Sequence, residues 1–245
     1  MNRYLFALAV TLATAAPALA GSSAGTGLVE PQLHLLKSKD HATHVALTFD
    51  ACMGKTDFRI LQTLVDENIK ATIFVTGRWV KSNPQALAIL KSRPDLFEIE
   101  NHGAMHVPAV DQPMLIYGIP AAGSIEAVEA EVQGGSDSIL AAGIEHPRWF
   151  RGSTARYSRS AIADIGRLGY RIAGYSINGD GGSLLGAKMT EKHIAAARDG
   201  DVVIAHINQP THEAGQGVVA GILALKARGV TFVRLQDSGE DDAKH

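Results

Sequence analysis

The residues of this chain able to do chemistry are few and far apart: Asp50, His102, His106, Arg151, Asn178, Asp180 and His206. A carboxylate and an imidazole brought together supply a base and an acid for hydrolysis. His102 and His106 stand in the segment Glu98-Ile99-Glu100-Asn101-His102-Gly103-Ala104-Met105-His106. Four-residue spacing on one helical turn would place both imidazoles on the same side, as two ligands of a single divalent ion require. Two histidines on an ordinary helix surface satisfy the same pattern, although Pro108 closes the segment just beyond. Cys52 is the only cysteine, so no internal disulfide can form. Its thiol is either a small packing group or a nucleophile.

The elements that must position these groups follow a βα rhythm. Short β-branched or aromatic runs alternate with segments whose apolar residues recur at three and four positions. The runs are Val45 to Phe49, Ala71 to Val75, Phe97 to Glu100, Trp149 to Arg151, Tyr170 to Tyr175, Asp201 to Ala205 and Thr231 to Leu235. Helices are expected over Asp57 to Glu67, Ser124 to Ala141, Ser158 to Leu168 and Gly217 to Ala227, with Gly169 and Gly229 at C-cap positions. Strands joined through helices run parallel and cross over right-handedly. The expected fold is therefore α/β, either an open sheet or a barrel. Every candidate residue lies at the C-terminal end of an expected strand. In a β/α barrel those ends converge on one rim, where residues more than 150 positions apart share a pocket.

Several other readings fall away. The chain has 245 residues, with 23 Lys plus Arg against 25 Asp plus Glu, a net charge of −2. There is no basic stripe to bind nucleic acid or an anionic membrane surface. No G-x-G-x-x-G follows the first strand, so a dinucleotide site is not indicated. Gly21-Ser22-Ser23-Ala24-Gly25 imitates a nucleophile elbow but lacks the strand and helix that would form one. Gly181 to Lys188 imitates a phosphate loop, but its lysine is misplaced and no Ser or Thr follows it. Residues 1–20 read as a secretory signal peptide: Arg3, an apolar run from Tyr4 to Leu12, then Ala18-Leu19-Ala20. The expected product is secreted or periplasmic, with no membrane span after signal removal. A lead segment at 21–43, a catalytic domain at 44–236 and a frayed acidic tail at 237–245 complete the organisation. The Pro- and Gly-rich insertion from Val110 to Ser124 is either a substrate loop or a plain surface loop.

Read together, these segments resemble the polysaccharide deacetylases, the NodB-homology group of family 4 carbohydrate esterases. Leu47-Thr48-Phe49-Asp50 is similar to the family's opening Thr-Phe-Asp-Asp, and Asn101 to His106 to its Asn-His-x-x-x-His metal motif. Phe150-Arg151, Tyr175 to Asp180 and Ile204-Ala205-His206, with the ending Gly229-Val230-Thr231-Phe232, match the later motifs in order and spacing. The resemblance implies a distorted barrel of about seven parallel strands. It also implies a divalent metal, usually zinc, and hydrolysis of N-acetyl groups on a glycan containing N-acetylglucosamine, peptidoglycan or chitin-like. By the same carry-over His102 and His106 hold the metal and Asp50 is the base. His206 is the acid, Arg151 orients Asp50, Asp180 supports His206, and amides just after Arg151 help hold the oxyanion.

Two departures stand out. The family's third metal ligand is the second Asp of the first motif, and Ala51 occupies that position. Water or another carboxylate completes the shell, or Asp50 becomes a ligand, or Cys52 does; Cys52 faces away from Ala51 if the strand continues. Gly152-Ser153-Thr154 also replaces the family's usual third-motif residues. An O-acetyl esterase, a non-sugar amidase and a glycan-binding module without turnover are the alternatives on the same fold.

Overall fold

A computed structural model describes residues 27–36, 42–237 and 240–241; the expected signal peptide and most of the expected tail lie outside these residues. Eight parallel strands form one curved sheet: β1 His44–Ala51, β2 Ala71–Val75, β3 Phe97–Asn101, β4 Trp149–Phe150, β5 Arg171–Ile172, β6 Ile177–Asn178, β7 Val202–His206 and β8 Thr231–Val233. Seven lie in the order β5-β4-β3-β2-β1-β7-β6, and β8 pairs with His44 to Ala46 of β1. The fold is the expected α/β architecture, a distorted barrel of parallel strands. The expected strand at Tyr170 to Tyr175 is shorter, Arg171–Ile172 alone, and a separate strand that was not expected, β6, follows at Ile177–Asn178.

Among the described residues seven α-helices are seen: α1 Phe58–Asp66, α2 Gly77–Ser82, α3 Pro84–Ser92, α4 Ile125–Ala141, α5 Arg159–Arg167, α6 Ala187–Ala195 and α7 Ala214–Ala227. Side-chain caps start several of them. Asp57, Thr76, Ser124 and Ser158 each accept a backbone N–H two or three residues ahead, satisfying donors the helix leaves open. Gly169 and Gly229 follow α5 and α7 with φ of 92° and 76°, a conformation glycine adopts without strain.

Alternation along β1 divides the molecule into layers. Val45, Leu47, Phe49 and Ala51 face outward into a core shared with Ile60, Leu64, Val218, Ile222 and Leu225 of the helices. Ala46 faces inward with Phe74, Trp149, Val202 and Ile204, and Thr48 and Asp50 share that side by the two-residue period. β5 and β6 do not pair, so the barrel is left open between them. The strap at 27–36 runs across this opening. Val29 exchanges backbone bonds with Tyr157, Leu33 donates to Tyr175 O and Leu35 to Gly200 O. Leu33 and Leu35 are buried in the inner core. Gly174 permits the passage, since a Cβ there would lie 2.2 Å from Pro31 O. Farther along the chain, Glu240–Asp241 pairs with His34–Leu35 of the same strap.

β3 also carries two acids into the barrel interior. Glu98 accepts from Thr72 Oγ1 at 2.7 Å and Gln236 N at 3.1 Å, and Glu100 accepts from the amides of Arg148 and Trp149. Burial first, and then the neighbouring Glu98, push Glu100 up to about 9; burial also raises Glu98. A carboxyl raised in the folded state binds its proton there and loses it on unfolding. Its contribution is complete below the unfolded value near 4.5 and is lost as pH rises toward 9. Glu100→Gln keeps an acceptor for both amides and never ionises. It is expected to raise stability at pH 8 by about 2 kcal/mol and to flatten the decline between pH 5 and 9. Thermal melts of both proteins across that range check this, and parallel curves would rule it out.

Candidate active site

Strand register assembles the site. His206 pairs with Asp50 and Phe150 with Asn101, so Asp50, His102, Arg151 and His206 end up at one rim although the chain separates them widely. Neighbouring strands lie about 4.8 Å apart, the spacing of groups that share a substrate.

Asp50 is 4% exposed and Arg151 is fully buried. Arg151 Nη1 donates to Asp50 Oδ1 at 3.0 Å and to Thr48 Oγ1 at 2.9 Å. Its remaining nitrogens donate to Ala173 O and Gly174 O, and its guanidinium lies 4.3 Å from the centre of the Phe74 ring. With its donors engaged on three sides the guanidinium cannot turn, so it fixes the carboxylate's direction as well as its charge. Burial works against that charge, but His102, Arg151 and His206 outweigh it and hold Asp50 below the usual carboxylate range.

The two histidines stand on a loop, contrary to the expected helical turn. Gly103 has φ of 90° and His106 φ of 68°, and these two left-handed residues fold the segment back so that the rings meet edge to face at 5.2 Å. Three supports hold it. Asn101 Oδ1 accepts from Gly103 N, Glu131 Oε1 accepts from Met105 N and Val107 N, and Ser153 Oγ lies 3.2 Å from His106 Nδ1. His102 Nδ1 bonds Arg151 O at 2.6 Å. A carbonyl can only accept, so Nδ1 carries a proton and Nε2 is the nitrogen left to face an ion. The loop also needs Gly135 on α4, where a Cβ would lie 2.1 Å from Asn101 Oδ1 and 2.7 Å from Gly103 C. Gly135→Ala would improve helix propensity by about 1 kcal/mol in isolation. Here it is expected to displace the loop and weaken zinc binding at least tenfold, as titration against a competing chelator would show; unchanged affinity would mean the loop is not set by α4.

Cys52 completes a group of three. Its Sγ lies 3.4 Å from His102 Nε2, and the candidate ligand atoms of Cys52, His102 and His106 all fall within 4.8 Å of one another. Position 51, where the family motif places a ligand, does not serve this site. Ala51 is fully buried against the helices, because alternation puts residues 50 and 52 on the inner side and 51 on the outer. Burial opposes ionisation of the thiol. The charge and hydrogen bond of His102, with hydrogen bonds involving His106 and His206, nevertheless hold it well below its usual range. Burial likewise opposes protonation of His102, while Asp50 and Cys52 raise it to about 9. One thiol and two imidazoles form a donor set that suits zinc or another borderline divalent ion.

At the end of β7, next to Asp50 and Cys52, His206 Nδ1 donates to Asp180, 3.0 Å from Oδ1 and 3.2 Å from Oδ2. Asp180 is fully buried and also takes the amides of His206 and Gly182. Burial lowers the imidazole's proton affinity, but Asp180 reverses this and raises His206 well above its ordinary value. Asn178 lies at the rim too, accepting from Gly181 N. The amide of Gly152, just after Arg151, is not available to an oxyanion: it donates to Tyr157 Oη at 2.7 Å.

Asp50, Cys52, His102, His106, Asn178 and His206 line one cavity of about 520 Å³. The sequence of residues 37–173, more than half of the chain, matches the family model described as polysaccharide deacetylase. The chain belongs to the polysaccharide deacetylase family. No curated protein matches this deacetylase-family chain significantly. Solved structures do. A family 4 acetyl xylan esterase from Clostridium thermocellum, in complex with a cobalt ion, is 25% identical with a TM-score of 0.63 over 79% of this chain and 89% of the other. The T48 deacetylase, solved with substrate, is 25% identical with a TM-score of 0.62 over 80% and 90%. A family 4 pseudoenzyme from Bacillus anthracis shares the fold at 21% identity and a TM-score of 0.63, over 80% of this chain and 65% of its own.

Reading the sequence alone missed the supports of this site: Thr48, Glu131, Gly135 and Ser153. One signal was present. The pair Gly134-Gly135 inside an otherwise amphipathic helical segment marks a close approach by another part of the chain.

Proposed function

We propose that this chain is an exported, metal-dependent deacetylase that hydrolyses N-acetyl groups on glycans containing N-acetylglucosamine. The observation that carries the reading is the placement of Asp50 and His206 in one cavity with the thiol and imidazoles of Cys52, His102 and His106. Those three residues would hold the ion, which when bound polarises an acetyl carbonyl and makes water at the site more acidic. Asp50, ionised and aimed by Arg151, takes the proton of the attacking water. His206, kept protonated by Asp180, delivers a proton to the leaving amine nitrogen. An acid raised and a base lowered from their ordinary values give the two groups opposite tasks at the same pH. Export rests on the leader pattern of residues 1–20, and among the described residues no helix is long and apolar enough to cross a membrane. Cobalt in the acetyl xylan esterase supports a divalent ion here, and the T48 deacetylase supports acetyl removal.

The test is acetate release from chitotetraose. Release that stops with a chelator and returns with zinc or cobalt is the expected result. Saturable glycan binding without release under either metal would overturn it in favour of a binding module, and release from acetylated xylan alone would make the chain an O-acetyl esterase.

A further inference from the structure

A second cavity, of about 280 Å³, lies at the N-terminal ends of β3 and β4, away from the rim that carries the histidines. It opens between the C-terminal end of α3 and the segment 143–148 that leads into β4. Glu98 and Glu100, the acid pair of β3, line it although they are only 5% and 4% exposed. Thr72 Oγ1 and Gln236 N donate to Glu98 Oε2, and two amides donate to Glu100 Oε2. Glu98 Oε1 is buried, and no N–H or neutral hydroxyl of the chain reaches it. Buried polar atoms are paired in nearly all folded proteins, so an orphan oxygen on a cavity wall marks a missing donor. The two acids meet the deficit by sharing a proton, which burial and their mutual repulsion hold on the pair at neutral pH.

Cations line the same cavity. Lys91 on α3 and Arg148 just before β4 are exposed. Lys91 Nζ donates to Ala142 O, and among the described residues the Arg148 guanidinium has no hydrogen-bond or ion-pair partner. Neither cation pairs with Glu98 or Glu100, although Arg148 N donates to Glu100 Oε2 at 2.8 Å. The other charged or titratable groups around the acids are Glu145 and His146 in the lining and Arg234, whose charge acts on Glu98 from beyond β8. Leu90, Phe97 and Ile144 supply apolar wall. Small-molecule sites start at roughly 300 Å³, so the occupant is small. Opposite charges that share a cavity without meeting suit a molecule that carries both.

We infer that this cavity binds a small amino acid as its zwitterion, with the ammonium on Glu98 and Glu100 and the carboxylate on Arg148. The site is separate from the deacetylase reading and stands or falls without it. Calorimetric titration with L-alanine is the test. A dissociation constant of about 1 mM or tighter is expected, with acetate and methylammonium, which carry one charge each, at least about tenfold weaker. The ammonium takes the place of the shared proton, so the binding heat at pH 7 should change with the ionisation enthalpy of the buffer, reporting proton release. Glu98→Gln keeps an acceptor for Thr72 and Gln236 but loses the charge, and should weaken L-alanine at least about tenfold. Arg148→Met alters an exposed side chain, leaves the core alone, and should weaken it to a similar extent; melting curves verify that both variants are folded. Methylammonium binding as tightly as L-alanine would make this a plain cation site and overturn the inference. Binding indifferent to either substitution, or no saturable heat from L-alanine, would overturn it as well.

Discussion

Cys52→Ala is expected to lower zinc affinity by at least about a hundredfold while leaving the protein folded. Losing a group that merely supports a ligand costs 10- to 100-fold in metal affinity, so losing one of three protein ligands costs at least as much. The fold should survive because Cys52 is a small side chain at the end of β1, and the chain there is held by its backbone, with the Thr76 hydroxyl donating to Cys52 O. Cobalt titration separates this from a packing effect. A thiolate ligand gives an intense sulfur-to-cobalt absorption that the alanine protein must lack. Since His102 and Cys52 exchange protons for the ion, wild-type affinity should also rise with pH. Ala51→Asp, by contrast, should bring no gain in affinity and some loss of stability, because it buries a carboxylate among apolar groups on the helix side. Tighter zinc binding by Ala51→Asp, or unchanged binding by Cys52→Ala, would return the third ligand to position 51.

Asp50→Asn should reduce kcat on an acetylated chitooligosaccharide by about a thousandfold, the loss expected for removing a general base. The amide oxygen can still accept from Arg151, but the charge that Arg151 faces is gone, and stability should fall by about 1–3 kcal/mol. Circular dichroism and melting confirm that the loss is chemical. The partner assignment has its own readout. His206 is raised above its ordinary value of 6.5 mainly by Asp180, so the alkaline limb of kcat/KM should lie above that value. Asp180→Asn removes the supporting charge, and the limb should move toward lower pH with the largest loss of rate on the alkaline side. A variant at position 50 that retains most of the rate, or an alkaline limb indifferent to Asp180, would remove these residues from their roles.

Much of the architecture was legible because it depends on local pattern. The buried parallel strands had to be apolar runs, so each expected run overlaps an observed strand. Asp50, His102, Arg151 and His206 could be placed on a common rim because parallel order alone sends strand C-termini to one end. The short β6 was not legible: two paired residues carry no periodicity, and its neighbours Gly174 and Gly179 interrupt the pattern. The loop at His102 to His106 was misread as helical because four-residue spacing fits both shapes. What decides between them is Glu131 and Gly135, on a helix that begins some twenty residues later.

The choice between Ala51 and Cys52 shows the division most clearly. Motif alignment places a ligand one residue after Asp50, whereas the two-residue period of a strand that remains regular through Ala51 turns that position toward the helices and Cys52 toward the imidazoles. Residue identity and order alone thus determined the fold class, the family and which groups were chemically able to act. Which of them share a cavity, which thiol or methyl faces inward, and how the strap crosses the opening were decided only in three dimensions, because strand register, left-handed turns and the close approach of α4 depend on contacts between segments that a linear pattern does not encode.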